Sequence, residues 1–201
     1  MKMSILDRVL LFITGLLAAY QIAFVIDGFS TLPLIAYTIA FGVLLVSGLL
    51  IILLGFEVLD SPIVVIVATM IPLNLSLGLA WQNLASYKVM YLVFVIVGFL
   101  AIIITRSLPM PGQIPTLVLA LVHGIAGMTI FLLPIIPSMQ GQTTPFFSLI
   151  GIGGALIGIG GLLLSFLKMG KPILSRETIF RVLPGLLLLM TVCFVAGFKY
   201  G

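Results

Sequence analysis

The sequence predicts an all-α fold, a polytopic membrane bundle of seven transmembrane helices, and three observations predict it. The chain is 62% hydrophobic and only 7% charged, with a mean hydropathy of +1.42. A soluble domain of this size cannot hide that much apolar surface. The apolar residues fall into seven runs, each long enough to cross a hydrocarbon core of ~30 Å as a helix. The breaks between runs are short and collect the charges, prolines and glycines. They leave no room for a separate soluble unit, so residues 1–201 are read as a single transmembrane domain.

The first run covers residues 9–26. Lys2 and Arg8 precede it as they would precede a signal peptide, but the run is long for one, and no small-x-small cleavage site follows. Asp27-Gly28 closes it. The second run, 33–56, opens on Pro33, where a missing N–H costs nothing. Glu57 and Asp60 make an acidic turn, and Ser61-Pro62 opens the third run, which ends at residue 83. The fourth, 88–105, is short and relies on Lys88 to snorkel. Arg106 and the proline-rich SLPMPGQIP separate it from the fifth, 115–136. The uncharged PSMQGQTTP leads to the sixth, 146–167. The basic KMGKPILSRET leads to the seventh, 178–198, with Ser175 placed to cap it.

Seven spans put the termini on opposite sides. With the N-terminus in the cytoplasm, Lys2, Arg8, Arg106, Lys168, Lys171, Arg176 and Arg181 lie inside. Lys88 and Lys199 lie outside. That bias agrees with the positive-inside rule, and the inverted topology reverses it. The expected location is the cytoplasmic membrane of a bacterium or an archaeon. A shift of 112 residues lays Pro33 on Pro145, Gly42 on Gly154, Gly48 on Gly160 and Pro72 on Pro184. A shift of 109 lays Gly15 on Gly124. Runs 1–3 and 5–7 are therefore read as a parallel 3+1+3 repeat with run 4 as linker, although Ser61-Pro62 finds no counterpart.

The sixth run carries the most regular pattern. Gly151, Gly154, Gly158, Gly161 and Ser165 are spaced 3, 4, 3 and 4, which gathers them within roughly 80° of one helix face. Gly153 and Gly160 form a second small stripe on about the opposite side. In lipid, small residues let backbones approach and gain dispersion contacts. Both faces are expected to pack, with the helix held between two neighbours.

Polar residues stand out in so aliphatic an interior. Thr14 and Gln21 share a face of the first run; Thr69, Ser76 and Asn83 share one on the third; Thr116 and His123 share one on the fifth. The repeated spacing of seven leads us to expect these stripes to converge on one cavity, a polar path lined by Gln21, Thr69, Ser76, Asn83 and His123. His123 is the sharpest residue, because an ionisable group at that depth is a functional hypothesis by default. Two readings stand for it: a hydrogen bond to the next helix, or a role in binding or proton relay. Glu57 and Asp60 are expected to form cytoplasmic ion pairs with Lys171 and Arg176.

Composition also excludes. One histidine and one cysteine are too few for a zinc site or a bis-histidine haem, so no cofactor is expected. The net charge of +4 is spread over loop ends and gives no nucleic-acid surface. No carboxylate pair, lysine or arginine lies well inside a run, which weighs against an ion-driven pump. No Walker, serine-elbow or HExxH motif points to an enzyme. The expected function is a non-enzymatic subunit of a larger membrane complex, in contact with the bilayer and with other membrane subunits or copies of itself. The alternative is a small transporter or channel for a neutral or weakly polar solute.

Overall fold

The computed structural model describes residues 3–25, 28–168, 170 and 172–201. Its helices are α1 (Ile5–Tyr20), α2 (Thr31–Leu54), α3 (Pro62–Asn83), α4 (Lys88–Ser107), α5 (Ile114–Met139), α6 (Ser148–Lys168) and α7 (Arg176–Tyr200), and no strand occurs among the described residues. Among those residues, seven helices are long and apolar enough to cross a membrane.

Local chemistry sets the ends of these helices. α1 starts earlier than its apolar run because Ser4 and Asp7 form a capping box. The Ser4 hydroxyl accepts the Asp7 N–H at 3.1 Å, and the Asp7 carboxylate accepts the Ser4 N–H at 2.8 Å. After Tyr20 the chain widens into a π-helical turn, Gln21–Val25. Asp27 lies outside the described residues. α2 stops at Gly55, whose φ of 81° suits a residue without a Cβ. A 3-10 turn, Phe56–Asp60, then leads to Pro62 at the first position of α3. α5 runs on through Pro134 and Pro137 to Met139, beyond its expected end. Prolines are tolerated in membrane helices where other groups satisfy the freed carbonyls.

Six helices close a ring. α1 packs on α2 and α7, α2 on α3, α3 on α5, α5 on α6, and α6 on α7; α4 lies outside, against α3 and α5. The interior is filled by Tyr37, Phe41, Leu75, Leu79, Ile130, Ile150 and Phe194. Phe41 meets Phe194 edge-on at 6.2 Å, and Tyr37 lies 4.6 Å from Phe198. Gly78 has no side chain, which lets the Tyr37 ring rest against α3.

Each end of the ring is tied. At the end where α1 begins, here the basic end, Arg176 bonds Asp60 at 2.8 Å and joins α7 to the turn between α2 and α3. At the far end, the Tyr37 hydroxyl donates to Gln82 Oε1 at 2.6 Å. Lys199 Nζ donates to the Tyr20 hydroxyl there, also at 2.6 Å.

Candidate functional site

The site is built where α5 and α6 meet and then part. Toward the far end they touch closely. A Cβ at Gly151 would lie 2.6 Å from Ile135 Cγ1 and 2.7 Å from the Phe131 carbonyl oxygen. One at Gly154 would lie 2.6 Å from Ile130 Cγ2. On the other face, a Cβ at Gly153 would lie 2.7 Å from Phe194, and one at Gly160 would lie 3.1 Å from Leu186. α6 is thus held between α5 and α7 by its two bare faces.

Toward the basic end the same stripe behaves differently. A Cβ at Gly158 or Gly161 would meet nothing within 4 Å. Gly124 and Gly127 on α5 are equally open. The expectation that Gly158, Gly161 and Ser165 pack against a neighbour is therefore corrected. The helices diverge from their contact at Gly151 and Gly154, and α5 offers only Ala120, Gly124 and Gly127 to that gap, with no side chain long enough to bridge it.

What results is a groove of about 440 Å³ between α3, α5 and α6. Along α5 it runs from Leu119 to Phe131, roughly 18 Å at ~1.5 Å per residue. Val65, Ala68 and Pro72 form the α3 wall, and the polar side chains lining the groove are His123 and Ser165. His123 Nδ1 lies 3.2 Å from the Leu119 carbonyl oxygen, one turn back on its own helix.

The other four residues of the expected polar path lie elsewhere, so the five do not share a cavity. Gln21 is 0% exposed in the π-helical turn, and neither of its amide atoms has a partner among the described residues. α1 packs on α2 and α7, so α2 stands between Gln21 and the α3 stripe. Thr69 donates to the Val65 carbonyl at 2.8 Å, Ser76 to Leu73 at 2.9 Å, and Asn83 to Leu79 at 2.8 Å. Each spends its donor on its own helix, as short polar side chains do when no better acceptor is near. Only His123 reaches the groove.

Sequence reasoning missed one polar cluster. The buried Tyr91 hydroxyl of α4 faces Ser76 of α3 and Thr129 of α5, close to both but outside good hydrogen-bond geometry. No spacing rule joins three helices in this way. The groove itself left a signal, since Ala120, Gly124 and Gly127 form a small stripe on α5 like the one on α6.

Among the expected ion pairs, Asp60 and Arg176 meet at 2.8 Å, with side chains 55% and 49% exposed. Glu57 is exposed, and Lys171 lies outside the described residues. Arg176 also lies over the Phe180 ring at 5.1 Å, and Phe180 stacks on Phe56 with centroids 5.1 Å apart and planes 13° from parallel. These two rings, with Leu11, Ile51, Ile179 and Leu183, fill the basic end between α1, α2 and α7. The corresponding space between α5, α6 and α3 is the open groove. In comparison with known proteins, no family model, no curated protein and no solved structure matches the chain.

Proposed function

We propose that this is a non-enzymatic integral membrane protein that takes a lipid-soluble molecule from the bilayer into the groove between α3, α5 and α6. The observation that carries the reading is the groove itself: about 440 Å³ of apolar space, walled by glycines whose missing side chains leave it open. Small-molecule sites have volumes of about 300–1,000 Å³ and pair an apolar wall with very few polar groups. The reading keeps the solute-handling alternative but moves the ligand from a polar path to an apolar groove. We place the N-terminus and the basic end in the cytoplasm, on the charge bias of the loops, and the protein in a bacterial or archaeal cytoplasmic membrane. The 3+1+3 repeat is part of the same proposal. Exchanging α1–α3 with α5–α7 leaves the order of packing around the ring unchanged, which supports it.

The test is purification in a mild detergent, followed by mass analysis of what stays bound. Wild type is expected to retain an apolar molecule in stoichiometric amount, and the groove-filling pair Gly127→Leu and Gly158→Leu is expected to lose it. Identical bound lipid in both proteins would overturn the reading. The subunit reading stands second, because an open small-residue face is also the kind of surface on which another membrane helix packs. A stoichiometric protein partner displaced by the same two substitutions would put it first.

A further inference from the structure

Resting on that reading, we infer that the groove selects apolar molecules carrying one hydrogen-bond donor, a hydroxyl group, and that His123 Nε2 is the acceptor that reads it. The inference starts from the other ring nitrogen. Nδ1 lies 3.2 Å from the Leu119 carbonyl oxygen. A carbonyl only accepts, so the bond assigns the proton to Nδ1, and the neutral ring is left with Nε2 as an acceptor. No described residue bonds Nε2, and His123 lines the groove. A ligand with only acceptors, such as an ether or a ketone, would leave that nitrogen unpaired in apolar surroundings. A hydroxyl satisfies it.

Size and placement follow from the same geometry. At ~30 Å³ for each water-sized group, 440 Å³ holds on the order of fifteen non-hydrogen atoms. His123 stands four residues beyond Leu119 and eight before Phe131, roughly 6 Å and 12 Å along α5. The hydroxyl therefore sits nearer the basic end, and the apolar body of the ligand runs toward Phe131 past Gly124 and Gly127. Those two glycines leave room for a ring or a branched chain.

Two probes of matching size separate the hydroxyl from the hydrocarbon: 4-octylphenol, and 4-octyltoluene, in which a methyl replaces the hydroxyl. Binding of each is measured by equilibrium dialysis against purified wild type and His123→Leu in the same detergent, so that partition into micelles cancels between the proteins. Wild type should hold the phenol tighter than the toluene by on the order of tenfold, the value of one neutral hydrogen bond shielded from water. His123→Leu should hold both alike, with its affinity for the toluene kept. Equal binding of both probes by wild type would overturn the inference and leave the groove proposal in place, and it needs no variant to fold. A phenol preference that survives in His123→Leu would also overturn it, since another group would then read the hydroxyl. Binding of neither probe by wild type would remove the groove proposal along with the inference.

Discussion

Gly151 and Gly158 stand two turns apart on one stripe of α6, and the same substitution should act on them in opposite ways. Alanine in a helix is favoured over glycine by about 0.5–1 kcal/mol, because glycine loses more backbone freedom on folding. At Gly158 the new methyl meets nothing within 4 Å, so Gly158→Ala should stabilise by about that amount. At Gly151 the methyl would lie 2.7 Å from the Phe131 carbonyl oxygen, where ordinary contact begins near 3.4 Å. That oxygen belongs to backbone and cannot swing aside, so α5 and α6 must separate by roughly 0.7 Å (3.4 minus 2.7), and overpacking of this kind costs about 1–3 kcal/mol. The helix-propensity gain is common to both variants and cancels between them. Gly151→Ala should therefore be the less stable by about 1–3 kcal/mol. Reversible unfolding in mixed micelles, followed by helical circular dichroism, measures the difference. Equal shifts for the two variants would refute the reasoning, because they would mean that α5 and α6 stay together along the whole stripe and the groove is closed.

Two further outcomes follow from the polar residues. Gln21→Leu removes two buried amide atoms that have no partner among the described residues. It should stabilise the bundle by about 1–3 kcal/mol in the same unfolding experiment, and a loss of stability would show that bound water satisfies the amide. Asp60→Asn breaks an ion pair whose side chains are about half exposed. It should cost less than ~1 kcal/mol, with the effect shrinking as salt is added; a loss that persists in high salt would contradict this.

Much of the fold was legible because lipid imposes a simple rule. An apolar run of sufficient length in a chain this poor in charge has little choice but to become a helix. The exceptions are places where a short local interaction outweighs the run. The Ser4–Asp7 capping box begins α1 before the apolar residues do, and the π-helical turn at Gln21 has no periodic signature. The meeting of Asp60 and Arg176 was legible for a related reason: charges collect in short loops, and alternation brings the loop before α3 and the loop before α7 to the same end. The site was less legible, because spacing along one helix fixes which residues share a face but not what that face meets. Gly151 and Gly158 look alike in sequence, yet one touches α5 and the other faces open space. Thr69, Ser76 and Asn83 share a spacing with Gln21 and His123 on other helices, but α2 stands between α1 and α3, and hydroxyl and amide groups find their own helix carbonyls first.

α4 makes few contacts for a helix of its length and takes no part in closing the ring, which invites the view that it is dispensable. Parity argues otherwise. Each crossing reverses the direction of the chain, so a triplet that followed α3 directly would enter the membrane from the opposite face. One additional crossing restores the direction, and α5 then runs the same way as α1. Only with that direction restored can α3 lie against α5 and α7 against α1 as equivalent seams. α4 thus acts as a phase inverter for insertion: its sequence is free to drift as long as it remains one crossing, while its removal would turn the second half of the protein upside down.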